Sequence, residues 1–121
     1  MSSDLDALTR VVYGEARGES DEGKKGVAWV VINRASKSGK SIKDEATKKS
    51  QFCCYKGEMK EESKEKCEKI AKDAIDGNST DPTSGATHFY SGNNTPSWAK
   101  GLEPCAEIGG HKFFKGIAPY K

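Results

Sequence analysis

One predicted helix is apolar on every side, and this feature most constrains the fold. Residues 28–32 of that helix are Ala, Trp, Val, Val and Ile. A helix that is apolar all round is surrounded by other elements. Ser20 is suited to cap its N-terminus, and two acidic residues follow at the positive end of the helix dipole. We therefore expect a buried central helix over residues 20–36. Because glycine weakens a helix, its Gly23 and Gly26 predict the close approach of another helix.

The remaining periodicity predicts two further helices and a small sheet around this centre. Apolar residues recur at helical spacing over residues 3–18 and 60–76. Residues 36–50 are polar and lysine-rich, which predicts a loop with at most one short helical turn. Residues 86–90 and 110–114 are short and rich in aromatics, and they predict two paired strands. Together these elements predict an α+β fold, a helical core with a small antiparallel sheet.

The composition excludes several classes of function. A chain of 121 residues is one domain, residues 1–121. Its 20 basic and 18 acidic residues alternate instead of forming a basic stripe, which argues against nucleic acid as a partner. The longest apolar stretch, residues 27–32, is far too short to enter and cross a bilayer. His88 and His111 complete no zinc-ligand spacing with the cysteines, so no metal or other cofactor is expected.

Four cysteines, Cys53, Cys54, Cys67 and Cys105, favour disulfides in a secreted protein of this length. A bridge between the adjacent Cys53 and Cys54 would strain the backbone, so each is expected to pair with Cys67 or Cys105. Free thiols in a cytosolic protein are the alternative. The chain starts Met-Ser-Ser and enters a helix directly, without a signal peptide. A secreted form would therefore be a mature domain with an added start methionine.

Glu15 is the strongest candidate for catalysis. It lies seven residues after Leu8 and four after Val11, so it continues the apolar stripe of the first helix. A carboxyl group on a half-buried face keeps its proton more readily, because burial disfavours the charged form. That is the state a general acid needs to protonate a glycosidic oxygen. The alternative is a structural ion pair with Arg17 or Arg34.

Glycoside hydrolysis usually needs a second carboxylate. Glu19, one turn beyond Glu15, and Asp81 are the candidates. Glu19 follows Gly18, so spacing does not fix the direction of its side chain. Capping of the next helix is its alternative role.

Aromatic side chains outside the helices are candidates for binding sugars, whose C–H faces stack on such rings while Gln and Thr take the hydroxyls. Trp98 lies in a polar loop and is best suited to this role. Phe89 and Phe113 are expected in the core. His88 and His111, each taken alone, are more often structural than catalytic. The candidate substrate-binding residues are Gln51, Phe52, Thr87, His88, Tyr90, Trp98 and His111.

Four segments, in order, resemble the motifs of the SleB-like family of spore cortex-lytic cell wall hydrolases. They are RVVYGEARGE at 10–19, QFCC at 51–54, DPTSGATHFY at 81–90 and IGGHKFF at 108–114. The resemblance covers nearly the whole chain. Two departures stand out: Cys53 replaces the usual serine, and Gly110 replaces the usual asparagine. The peptidoglycan-binding module often found beside such domains is absent from this sequence.

The resemblance implies a lysozyme-like, lytic-transglycosylase-like fold and a glycosidase that cleaves the β-1,4 bond between N-acetylmuramic acid and N-acetylglucosamine. It implies that Glu15 is the catalytic acid and base. In lytic transglycosylases the 6-hydroxyl of the substrate attacks the anomeric carbon and gives a 1,6-anhydro product. A second carboxylate is then not needed, and Glu19 becomes a supporting neighbour.

The expected protein is a secreted monomer whose partner is peptidoglycan or a related glycan polymer. Hydrolysis by a muramidase or a chitinase-type enzyme is one alternative to transglycosylation. A non-catalytic, glycan-binding antimicrobial protein of the same fold is the other. The intact Gly14-Glu15-Ala16 argues against the latter, because a binding module has no use for a buried acid.

Overall fold

The computed structural model describes residues 3–48, 52 and 54–116. Four α-helices precede a small sheet. The elements are α1 (Ser3–Ala16), α2 (Asp21–Ser38), α3 (Ile42–Thr47), α4 (Glu61–Ile75), β1 (His88–Ser91), a short 3₁₀ helix (Ser97–Ala99), β2 (Ala106–Ile108) and β3 (His111–Phe114).

Helix α2 is the centre of the fold, as the sequence predicts. The Ser20 hydroxyl accepts a hydrogen bond from Gly23 N and caps its start. Val27, Ala28, Val30 and Val31 are completely buried, because α1, α3 and α4 surround the helix on one side and the sheet covers the other. The helix ends at Ser38, two residues later than predicted, at a left-handed Gly39 whose N–H donates to the Ala35 carbonyl.

Helices α1 and α4 pack on α2 through the apolar stripes that periodicity predicts. The buried residues of α4 are Cys67, Ile70, Ala71 and Ala74. The segment expected to be mainly a loop holds α3, and its Glu45 is buried with a carboxylate oxygen that accepts from the Ser38 hydroxyl at 2.6 Å. No helix of the described residues is long and apolar enough to cross a membrane.

The three-stranded sheet is antiparallel, with β3 between β1 and β2. The predicted pairing of β1 with β3 is confirmed, with His88 opposite Phe114 and Ser91 opposite His111. The third strand, β2, was not predicted. It pairs Ala106 with Phe113 and completes the sheet.

Phe113 explains why α2 contains a glycine at its centre. A Cβ atom built on Gly26 would lie 2.7 Å from Phe113 Cζ, which is too close for any real contact. The expectation that another helix approaches this glycine is therefore wrong at Gly26, because an aromatic ring of the sheet occupies the space. Phe113 is completely buried there with Val30 and Ala86. The Phe113 ring, packed on the backbone of α2 at Gly26, places the sheet against the helices.

The predicted disulfides are not formed. Every expected bridge used Cys67 or Cys105, and both of these carry free thiols. Cys67 is buried inside the helical core, whereas Cys105 packs with the cluster under the sheet and donates from Sγ to the Thr83 carbonyl at 3.1 Å. Burial raises the pKa of both thiols. Cys53 lies outside the described residues.

Gly26→Ala should lower the free energy of unfolding by about 1–3 kcal/mol, because overpacking forces either the helix or the Phe113 ring to move. Urea unfolding with m-values measures the change. Gly18→Ala is the matched control, since a Cβ there meets nothing within 4 Å. Equal midpoints for the two variants would contradict the tight contact at Phe113.

Candidate active site

Glu15 lies on the last turn of α1 and is half-buried. Below it, Leu8 and Val11 of the same stripe are completely buried. A carboxyl group therefore stands at the rim of the apolar core, as the spacing predicts. The guanidinium of Arg17, one of its two expected ion-pair partners, lies 4.8 Å from the centre of the Tyr13 ring.

Glu19 connects the end of α1 to the sheet. Its N–H donates to the Ala16 carbonyl at 2.9 Å, and its own carbonyl accepts from the buried ammonium of Lys24. Its side chain accepts from Gly110 N at 3.1 Å, in the turn between β2 and β3. The alternative that Glu19 caps α2 is wrong, because Ser20 is the cap and the Glu19 carboxylate binds the sheet.

Gly109 makes room for this carboxylate. It has a φ of +57°, and a Cβ at this position would overlap Glu19 Oε1. The sequence gives no sign of this contact, since Gly109 and Glu19 are far apart along the chain.

His111 lies beside the same carboxylate. Its ring is only 2% exposed, and its Nδ1 is 3.8 Å from Glu19 Oε1. The Phe89 ring packs at 5.3 Å between centroids and the Phe113 ring at 6.0 Å. Neither nitrogen of the imidazole has a hydrogen-bond partner among the described residues.

Phe52 extends this inner face of the sheet. Its ring stacks on Phe89 with centroids 6.2 Å apart. The segment that follows is fastened to α1, because Arg10 donates to the carbonyls of Tyr55 and Gly57 at 3.0 Å each. Sequence reasoning missed this function of Arg10, although it is the first residue of the first motif. Gln51 lies outside the described residues.

The outer face of the sheet carries a second aromatic group. Alternation along β1 places His88 and Tyr90 on the side opposite Phe89. Trp98, in the 3₁₀ helix, packs on this side with its ring 5.2 Å from His88 and edge-on to Phe114 at 5.3 Å. The structure therefore brings together His88, Tyr90 and Trp98, three of the residues that the sequence analysis gives as candidates for substrate binding.

Arg34 joins the two aromatic groups. Its guanidinium lies 5.1 Å from the centre of the Phe52 ring, and Nη2 is 3.4 Å from His88 Nε2. A guanidinium only donates, so His88 Nε2 accepts and Nδ1 carries the proton. The buried Thr87 hydroxyl, 3.0 Å from Nδ1, then accepts that hydrogen bond. Sequence reasoning considered Arg34 only as an ion-pair partner of Glu15.

His88 is held neutral by this environment. Burial and the charge of Arg34 lower the pKa of His88 to about 4. A neutral imidazole with a fixed tautomer presents a defined donor and acceptor pattern over a wide pH range.

Asp81 serves the fold. Its Oδ1 accepts from the N–H and hydroxyl of Thr83, at 2.8 and 2.7 Å. Its Oδ2 accepts from Gly85 N at 3.0 Å and from Asn33 Nδ2 at 2.9 Å. With four donors on one carboxylate, Asp81 organises the turn before β1. Glu19 is then the remaining candidate of the two for a second carboxylate near Glu15.

His88 makes stability depend on pH. Its pKa of about 4 lies below the value of about 6.5 expected in the unfolded chain. As the pH falls through this window the unfolded chain takes up the proton first, so the contribution of His88 is complete above pH 6.5 and is lost toward pH 4. His88→Gln should flatten this part of the stability profile in urea unfolding at pH 7, 6, 5 and 4. If the free energy of unfolding fell equally with pH in both proteins, the loss of stability would not be due to His88.

Comparison with known proteins identifies the family of this fold. The sequence profile described as Cell Wall Hydrolase matches residues 18–114, a range that begins just after Glu15. A curated spore cortex-lytic enzyme of Oceanobacillus iheyensis is 29% identical over 117 residues, which cover 93% of this chain and 42% of the relative. The chain thus spans less than half the length of that relative.

Two solved structures are similar to this fold over most of the chain. The catalytic domain of the Bacillus cereus SleB protein matches with a TM-score of 0.77 and 27% identity, over 93% of this chain and 90% of that one. The catalytic domain of the germination-specific lytic transglycosylase SleB from Bacillus anthracis matches with a TM-score of 0.78 and 27% identity, over 95% and 96%. The expected α+β fold and the resemblance to SleB-like proteins are confirmed, and this chain belongs to the Cell Wall Hydrolase family.

Proposed function

We propose that this chain is a lytic transglycosylase that cleaves the β-1,4 bond between N-acetylmuramic acid and N-acetylglucosamine in peptidoglycan, with Glu15 as general acid and base. The carrying observation is the half-buried carboxyl group on the last turn of α1, at the rim of the apolar core. Family membership and the likeness to a SleB lytic transglycosylase domain support the reaction class.

The reaction needs one group that first gives and then takes a proton. Protonated Glu15 donates its proton to the glycosidic oxygen as the bond to the anomeric carbon breaks. The resulting carboxylate accepts the proton of the substrate 6-hydroxyl, whose oxygen bonds to the anomeric carbon and closes the 1,6-anhydro ring. Glu15 ends protonated, as it began, and no water is consumed. Glu19, four residues later in the sequence and bonded by Gly110 N, is the supporting carboxylate.

The glycan is bound by aromatic rings that are half-buried and by nearby polar side chains. We assign direct contact to Phe52, Tyr90 and Trp98, since sugar C–H faces stack on aromatic rings. Gln51 is assigned to the sugar hydroxyls, because an amide both donates and accepts hydrogen bonds. Thr87 and His111 are buried, so they act by holding their neighbours. His88, fixed by Arg34 and Thr87, offers a neutral imidazole beside Trp98.

The proposed setting is outside the cytoplasm, where peptidoglycan is found, with the chain acting as a monomeric catalytic domain. Hydrolysis by water is the second candidate reaction. Glu19 favours it, because its partly exposed carboxylate, four residues after Glu15 in the sequence, is a candidate to activate water. Product analysis separates the two reactions, since an anhydro end lacks the water that hydrolysis adds.

Glu15→Gln should abolish the release of soluble fragments from purified cell wall, because an amide neither donates nor accepts the catalytic proton. We expect a fall of at least about 100-fold in rate, the usual contribution of a general acid or base. The melting temperature should change little, since the side chain is isosteric and half-buried.

Mass spectrometry of the fragments is the measurement, with Glu22→Gln as the matched control, because Glu22 is an exposed partner of Lys25. Anhydro-muramic ends from the wild-type protein and none from Glu15→Gln support the proposal. Hydrated ends point to a muramidase, release from chitin oligomers but not from wall points to a chitinase-type enzyme, and binding without release points to a non-catalytic protein. Retained lysis by Glu15→Gln would refute the role of this residue.

Trp98→Ala should raise KM for soluble peptidoglycan oligomers by about three- to tenfold, the worth of one aromatic stacking contact, with kcat changed less. Leu102→Ala is the control, since Leu102 is an exposed apolar side chain in the following segment. Thermal unfolding checks that both variants remain folded. A KM for Trp98→Ala equal to that of the control would remove Trp98 from the binding site.

A further inference from the structure

The buried imidazole of His111 lowers the stability of this fold, because neither of its nitrogens has a hydrogen-bond partner among the described residues. The residue is 2% exposed. An unsatisfied buried polar group costs about 1–3 kcal/mol. Apart from the Glu19 carboxylate, the residues beside the ring are apolar: Phe89 of β1, Phe113 of β3 and Ile108, its register partner on β2. Phenylalanine would suit such a site better than histidine.

Glu19 is the group toward which the imidazole is directed. His111 Nδ1 is 3.8 Å from Glu19 Oε1, about 0.8 Å beyond a good hydrogen bond. The same oxygen already accepts from Gly110 N at 3.1 Å. An ionised carboxylate oxygen accepts two donors, so the second place on Oε1 is open to an imidazole N–H.

The backbone of Glu19 is fixed while its side chain has room to adjust. The Ala16 carbonyl and the Lys24 ammonium hold the main chain on both sides. The side chain is 30% exposed, so a small rotation can close the gap to His111. A rotation of this carboxylate therefore acts on the turn at Gly110, to which it is bonded, while the main chain of Glu19 stays attached to the end of α1, which carries Glu15.

We propose that His111 is a positioning residue whose N–H closes on Glu19 Oε1 when a glycan binds, so that Glu19 holds the β2–β3 turn against the end of α1 with two donors. This role rests on the proposed function, because its purpose is to fix the geometry around Glu15. His111 itself touches no substrate. It acts through Glu19. We call the Glu19 carboxylate with its two donors, Gly110 N and His111 Nδ1, the clamp. In the present structure the His111 nitrogens have no partner among the described residues, so the clamp is open.

His111→Phe separates this role from simple packing. The ring is kept and two unsatisfied nitrogens are removed, so the melting temperature should stay the same or rise. Loss of the clamp should lower kcat by about tenfold, since small misplacements of catalytic groups have effects of this order or larger, while KM changes less than twofold. Glu107→Gln, on an exposed position of the same hairpin, is the control and should leave both constants unchanged. An unchanged kcat in a folded His111→Phe protein overturns the proposal.

A double-mutant cycle tests the partner. If His111 acts through Glu19, then Glu19→Gln combined with His111→Phe should lower kcat no further than the stronger single change. Multiplicative effects on kcat would show two independent roles and overturn the proposal.

A measurement without catalysis covers the case in which His111→Phe does not fold. The inert Glu15→Gln protein is titrated with muropeptide oligomers while the ¹⁵N signal of His111 Nδ1 and the exchange rate of the Gly110 amide are followed. The proposal expects Nδ1 to become a hydrogen-bonded donor and Gly110 exchange to slow at least threefold. No change in either signal overturns it. If the wild-type protein cleaves wall and these signals stay constant, the clamp fails alone; absence of wall cleavage by the wild-type protein is a failure of the proposed function.

Discussion

The contact between the Phe113 ring and the bare backbone of Gly26 holds the two halves of this molecule together. Phe113 lies on the central strand, and Gly26 lies in the central helix, so this contact joins the two elements that all others pack against. The helices have their own core, to which all four of them contribute. The sheet has three strands of three or four residues each, and packing against a helix stabilises so small a sheet. Burial of Phe113 on α2 therefore fixes the position of the sheet against the helices.

Contacts on either side of Phe113 fix the direction of the sheet as well. Glu19, just before α2, binds Gly110, just before β3. Arg34, near the end of α2, binds His88, the register partner of Phe114 at the end of β3. The helix and the central strand therefore run in the same direction. The Glu19–Gly110 contact follows the end of α1, which carries Glu15, and the Arg34–His88 contact reaches the outer aromatic group with Trp98.

The local features of this fold could be predicted from the sequence, and the long-range ones could not. Ser20 as a cap and the stripe that leads to Glu15 follow from neighbouring residues. β2 was missed because three residues are too few to show alternation. The direction of Glu19 and the partner of Gly26 depend on residues nearly the whole chain away, and no spacing rule encodes them. The sequence likewise did not show that Cys67 and Cys105 are unpaired. Four cysteines in a short chain suggested disulfides, but these two lie in separate clusters and are free thiols.

The hydrogen bonding of the polar side chains shows which of them stabilise the fold. Asp81 has four donors on its carboxylate, and buried Glu45 accepts from Ser38, so both strengthen the fold around them. His111 is the opposite case, because it is as deeply buried as Glu45 and yet its nitrogens lack partners among the described residues. Packing gives no reason for a histidine between Phe89 and Phe113. Its Nδ1 faces the Glu19 carboxylate at 3.8 Å, four residues after Glu15 in the sequence, and a site that weakens the folded state is expected where function demands it.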